Sequence, residues 1–103
     1  MTDEQPYARL VVGRWSQIED VDDDACRLLG YSRSELLAMH GSELVLPGDQ
    51  PAVAVSLDKM RRGEADWREG RLVRKDGSVV RVEVRPHPLP EDRVELSVRP
   101  LAG

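Results

Sequence analysis

Catalysis needs a nucleophile or a general acid or base held beside a group that orients it, and few residues of this chain could do such work. His40, Ser42 and Glu43 stand close together, His87 lies among prolines, and Cys26 is the single cysteine. Closeness along a loop is not a catalytic geometry, and no Gly-x-Ser-x-Gly, phosphate loop, His-Glu-x-x-His or Cys-His pair occurs. The acidic run Glu19, Asp20, Asp22, Asp23 and Asp24 offers oxygen ligands to a hard cation. It lacks the alternating ligand spacing and the central glycine of a calcium loop, and helix capping accounts for most of it. The Met60 thioether could ligate a haem iron, yet Met60 completes a Val53, Leu57, Met60 stripe at helical spacing and reads as core. No catalytic or metal-binding residue is assigned, and the chain is not read as an enzyme.

The 103 residues suffice for one domain, since two halves of half that length would each bury too little apolar surface to fold. A formal net charge of −4, with fifteen basic residues interleaved among nineteen acidic ones, excludes the clustered basic surface that nucleic acid requires. No apolar run reaches membrane-spanning length and no signal peptide opens the chain. One cysteine cannot form an intrachain disulfide, so a reducing cytoplasm is the expected location. Aromatic residues are sparse, namely Tyr7, Trp15, Tyr31 and Trp67 without any phenylalanine, which leaves poor walls for a large planar cofactor. No cofactor is expected.

The elements that must position these residues follow from local signals. Met1 to Pro6 is polar and reads as a frayed lead, Arg9 to Trp15 is β-prone, and a second short strand lies near Gln17 to Val21. Asp22 caps a short helix, Asp23 and Asp24 sit at its positive end, and Gly30 suits the left-handed residue that stops it. Ser32-Arg33-Ser34-Glu35 is a capping box, which predicts a second helix running through Leu36, Leu37 and Met39 toward Gly41. A third helix follows Pro47-Gly48-Asp49, with Asp49 as its cap, Pro51 in its first turn and Gly63 at its close. Beyond it, Arg74-Lys75-Asp76-Gly77-Ser78 places an Asp-Gly turn between two β-prone runs. Val80, Val82 and Val84 alternate with Arg81, Glu83 and Arg85, and Val94, Leu96 and Val98 with Glu95, Ser97 and Arg99. Each run predicts a strand with one dry and one wet face. The proline-rich His87 to Asp92 stretch reads as the loop between them. Two strands, three helices and three strands make an α+β fold, a single antiparallel sheet with helices on its inner face.

Two stretches, taken with that order, resemble the PAS family. Asp22 to Leu36 (Asp-Asp-Asp-Ala-Cys-Arg-Leu-Leu-Gly-Tyr-Ser-Arg-Ser-Glu-Leu) is similar to the family's helix, Gly-Tyr-Ser turn and Glu-Leu helix. Glu69 to Ser78 (Glu-Gly-Arg-Leu-Val-Arg-Lys-Asp-Gly-Ser) resembles its strand and Lys-Asp-Gly-Ser hairpin, and Leu46-Pro47-Gly48-Asp49 lies between them in the right order. Asp22 stands where the family often has asparagine, and Asp24 where it often has a small residue. Cys26-Arg27-Leu28-Leu29 echoes the Cys-Arg-x-Leu element of the flavin-binding branch, but Ala25 before it, Gly30 after it and its early position misplace the echo. Haem-binding relatives put a histidine on the long helix, and Asp49 to Arg62 contains none.

The resemblance implies a PAS-like five-stranded antiparallel sheet spanning residues 9–100, with 1–8 as lead and 101–103 as the end or the start of a linker. It also implies a small pocket, for which Leu28, Leu36, Val53, Leu57, Met60, Val82 and Leu96 are the candidate lining. The compact side chains on the helices favour a filled core and a non-catalytic signalling module that works by homodimerisation or by docking an attached output domain. The alternative is a module whose pocket takes a small-molecule ligand and thereby regulates that output. The candidate partner face is the wet side of the last two strands, Arg81, Glu83, Arg85, Glu95 and Arg99.

Overall fold

The computed structural model describes residues 7–64 and 68–101. Five strands, β1 (Ala8–Val12), β2 (Ile18–Val21), β3 (Arg68–Val73), β4 (Val79–Leu89) and β5 (Arg93–Pro100), form one antiparallel sheet in the order β2-β1-β5-β4-β3. Between β2 and β3 lie the helices α1 (Asp23–Leu29), α2 (Arg33–Leu37) and α3 (Gln50–Arg61), with short 3-10 turns at Gly41–Leu44 and Pro47–Asp49. The α+β architecture expected from the sequence is the one observed.

Local capping explains the first two helices. The Asp22 carboxylate accepts from the Ala25 amide at 2.9 Å and from the Arg9 amide at 3.1 Å, so one side chain starts α1 and ties it to β1. Gly30 ends α1 with φ +80° and its amide bonded to the Cys26 carbonyl. Ser32 and Glu35 complete the predicted capping box on α2. That helix stops at Leu37 instead of continuing toward Gly41, because the Met39 carbonyl accepts from the Ile18 amide and His40 bridges to Gln17. Pairing with β2 draws the chain out of the helix.

Three further expectations are corrected by the structure. Asp49 does not cap α3: with φ −91° and ψ −12° it is already helical at the end of a 3-10 turn, and its carboxylate takes the Arg71 guanidinium at 2.9 Å. The first strand ends at Val12, because Gly13 to Ser16 forms a turn in which Ser16 has φ +67°, and Trp15 stands in solvent at 73% exposure. The segment from His87 to Leu89 is strand, not loop: β4 runs to Leu89, with Pro86 opposite Leu96 and Pro88 opposite Val94. The Arg81 carbonyl accepts from the Leu101 amide on the β5 side, so odd-numbered β4 residues turn their backbone groups to β5 and even-numbered ones toward β3. The last described β3 partner is Arg68 opposite Val84. Pro86 and Pro88 therefore put their missing donors on a stretch of edge where no described strand needs them. The chain reverses at Pro90 to Asp92, where Glu91 and Asp92 both have positive φ, as a type I′ turn demands.

The inner face of the sheet carries two apolar clusters. One gathers Leu10, Ile18, Val21, Val80, Val82 and Val98 under Ala25, Leu29, Leu36 and Leu44; the other sets Leu57 and Met60 on Val12 and Val94. Val84 and Leu96 border both. The Arg61 guanidinium also holds the end of α3 to the β1-β2 turn, donating to the Gly13 carbonyl at 2.7 Å.

The hairpin between β3 and β4 yields a direct test. Gly77 has φ +89° with nothing near the position of a Cβ, so a side chain there meets backbone strain alone. Gly77→Val should lower stability by about 1 kcal/mol or more, whereas Gly48→Ala, at an open site without positive φ, should change it little. Equal melting curves for Gly77→Val and the parent would refute the strain.

Candidate functional site

A cavity of about 410 Å3 lies between the inner face of the sheet and α3. Its floor is Leu10, Val12, Val82, Val84, Leu96 and Val98, and its roof is Leu44 and Val45 together with Val53, Leu57 and Met60 of α3. Helix α3 packs on β4 and β5 but stands off from β3, and the cavity opens in the gap between them. Small residues line it from both sides, Ala52 and Ser56 on α3 and Gly70 on β3, with Arg68 and Leu72 flanking Gly70 on the same face of the strand. Gly70 is paired with Val82, so its position belongs to the inner face, and nothing lies within 4 Å of where its Cβ would be.

The mouth is charged. Arg71 bridges to Asp49 across it at 2.9 Å, and Arg81 pairs with Glu69. Arg68, opposite Val84 on the inner face, reaches from β3 to the Ser56 hydroxyl on α3 and also donates to the Glu69 carbonyl at 3.3 Å. Among the described residues no carboxylate lies within ion-pair distance of Arg68.

Of the expected lining, Val53, Leu57, Met60, Val82 and Leu96 do line the cavity. Leu28 and Leu36 do not, because α1 and α2 close over the β1-β2 side of the sheet, where Leu36 is fully buried and Leu28 packs against the same cluster. The core is not filled as expected: the compact side chains that suggested tight packing leave a gap because α3 touches the sheet along a single stripe. Sequence reasoning missed Arg68, Ser56 and Gly70. Their only signal was Gly70 within a strand, which marks close approach or open space.

The remaining candidates disperse. Cys26 is half-buried and packs against the first cluster. His40 is exposed and donates through Nδ1 to the Trp15 carbonyl at 3.3 Å, and His87 is an exposed strand residue. The acidic run separates into the Asp22 cap, an Asp20 carboxylate shared by Arg9 and Arg33, an Asp24–Arg27 pair and a Glu19–Arg93 pair. Among the described residues no three His, Cys, Asp or Glu side chains gather as a metal site, and no helix is long and apolar enough to cross a membrane.

The proposed partner face requires one correction. Arg81 and Arg85 are exposed and Glu95 and Arg99 half-exposed, but Glu83 is only 8% exposed although it lies on the outer face. Tyr7 covers it and donates its hydroxyl at 2.8 Å, Arg85 donates at 2.6 Å and Arg99 at 3.0 Å. Both guanidinium groups also stand over the Tyr7 ring, at 5.7 and 4.9 Å from its centre. The Arg85 guanidinium foremost, then the Tyr7 hydroxyl and Arg99, outweigh desolvation and pull the Glu83 carboxyl from 4.5 down to about 2. A carboxyl with a depressed folded-state value stabilises the fold above its unfolded value and loses that contribution as pH falls toward the folded value. The window here runs from about 4.5 down to about 2. Thermal melts of the parent and Glu83→Gln from about pH 6 to about pH 3 should therefore converge as pH falls, with the parent higher at the upper end. A gap that stays constant with pH would contradict the ion cluster.

The comparisons with known proteins accord with this geometry. The family model described as PAS fold matches residues 18–98. A domain of a sensory box sensor histidine kinase/response regulator from Geobacter sulfurreducens superposes with a TM-score of 0.81 at 26% identity, over 90% of this chain and 82% of that one. The PAS domain of an HTR-like protein from Haloarcula marismortui gives 0.74 at 28% identity, over 96% and 84%. The PAS domain of the quorum-sensing receptor RpfR from Cronobacter turicensis, solved in complex with C12:0, gives 0.81 at 12% identity, over 99% and 100%, a likeness of fold alone. No curated protein sequence matches the chain. From the family match over most of its length, and from the strand order and helix placement that accompany it, this chain belongs to the PAS-fold family.

Proposed function

We propose that the protein is a sensory module whose inner cavity takes a small apolar molecule, and whose occupancy biases a partner or an attached output domain. The cavity carries this reading. A space of about 410 Å3 is within the roughly 300–1,000 Å3 of small-molecule sites, and its aliphatic lining offers dispersion contacts to an apolar guest. Occupancy would draw α3 and β3 toward a common guest, since they form the two sides of the mouth and pack little on each other. Strand β3 pairs with β4, and β4 with β5, so a shift at the mouth reaches the outer face bearing Arg81, Arg85, Glu95 and Arg99. That face is the surface proposed for a second copy or an output domain. Two of the solved relatives support the setting: the Geobacter domain belongs to a sensor histidine kinase/response regulator, and the Cronobacter domain holds C12:0.

Gly70→Leu tests the cavity directly. A leucine on the inner face of β3 would enter open space and relieve the entropic cost of a strand glycine, worth about 0.5–1 kcal/mol. The variant should melt at the same temperature as the parent or higher, yet lose small-molecule binding seen by native mass spectrometry and by ligand-induced melting shifts. A panel of apolar compounds that shifts neither protein's melting curve would remove the ligand-sensing reading.

A further inference from the structure

Charge and shape at the cavity mouth specify what kind of molecule fits. The interior is aliphatic from Leu10 through Leu96 and Val98, and it offers an incoming chain no polar partner apart from the groups at the mouth. At a protein-like packing density of about 0.75, a space of 410 Å3 holds about 300 Å3 of ligand atoms, enough for one aliphatic chain. The charged residues that line the cavity are Arg68 on the inner face of β3, Asp49 before α3, and Glu69, Arg71 and Arg81 at outer-face positions along the β3 edge. Glu69 is committed to Arg81 and Asp49 to Arg71, so of the three arginines that line the cavity Arg68 is the one with no carboxylate partner among the described residues. It is half-buried, it lies on the inner face, and its partners among the described residues are neutral groups, the Ser56 hydroxyl and the Glu69 carbonyl. A half-buried guanidinium without an anion has the most to gain from one.

We propose that the cavity binds a single-chain alkyl carboxylate, its chain between α3 and the sheet and its carboxylate on Arg68 and Ser56. The proposal rests on the ligand-sensing reading above and adds the class of ligand. A carboxylate at that place accepts from the guanidinium in a fork and from the Ser56 hydroxyl, which now serves Arg68 as an acceptor and would turn its hydrogen to the ligand. A neutral chain of equal length gains the apolar burial alone. The Arg71–Asp49 bridge, spanning from β3 to the start of α3, stands beside the headgroup as a strap across the opening.

The test compares dodecanoate with its methyl ester, both below their aggregation concentrations, on the parent, Arg68→Gln and Arg68→Lys, by calorimetry and melting shift. Dodecanoate should bind the parent more tightly than the ester. Arg68→Gln should weaken the acid roughly tenfold or more while leaving the ester unchanged, as expected for the loss of a charged hydrogen-bond partner. Arg68→Lys, which keeps the charge, should retain part of the preference, and melting curves without ligand report whether each variant is folded. Equal binding of acid and ester, indifferent to Arg68→Gln, would overturn the headgroup assignment and leave the ligand-sensing reading standing. Failure of both probes to bind the parent would overturn the proposed ligand class, while the Gly70→Leu comparison with other apolar compounds still decides the wider reading.

Discussion

Helix α3 has one narrow stripe with which to hold the sheet, and the inner architecture depends on that constraint. Leu57 and Met60 reach Val12 and Val94, Val53 supports them, and the neighbouring positions Ala52 and Ser56 are too short to reach β3. Were those positions large and apolar, the helix would settle on Gly70 and Leu72 and the interior would close. With small residues there and a glycine opposite, the helix is held at its C-terminal end by packing and by the Arg61 guanidinium on the β1-β2 turn. At the other end, beside the mouth, its ties to β3 are polar: the Arg68–Ser56 hydrogen bond and, just before the helix, the exposed Arg71–Asp49 ion pair, of a kind that contributes little to stability.

The two faces of the sheet solve opposite problems. The inner face buries valine and leucine but leaves a gap that packing does not fill. The outer face is charged and yet contains a site drier than its composition suggests, where Glu83 lies beneath Tyr7 and between two arginines. Removing a carboxylate from water is costly unless its lone pairs are satisfied, and three donors from three strands or strand ends do so here. The same contacts tie Tyr7, at the start of the described chain, to β4 and β5, and add to the β1–β5 pairing that follows it.

Membership of the PAS-fold family accounts for the strand order, while the ligand preference proposed for this chain comes from its own residues. Arg68 and Ser56 face each other because β3 and α3 form the two sides of one opening. Gly70 makes room between them, and the flanking acids are occupied by Arg71 and Arg81. A relative of the same fold with apolar residues at those places would present a closed core or a neutral mouth.

Features that depend on neighbours within a few positions could be read directly from the residues. The Asp22 and Ser32–Glu35 caps, the Gly30 stop, the Asp76-Gly77 turn and the alternation along β4 and β5 are all local, and all stand in the structure as their residues predict. Periodicity also placed Val53, Leu57 and Met60 on one face of α3. Tertiary structure decided everything in which distant groups compete. Arg71 takes Asp49 away from its capping role. Pairing with β2 ends α2 early, and the free edge beside β4 lets Pro86 and Pro88 remain in a strand. Tyr7, 76 residues away, turns a surface glutamate into a buried one. The cavity belongs to the same class, because whether compact side chains fill a core depends on how far apart the backbone holds them. That distance is set by which elements touch, a property no local window of sequence contains.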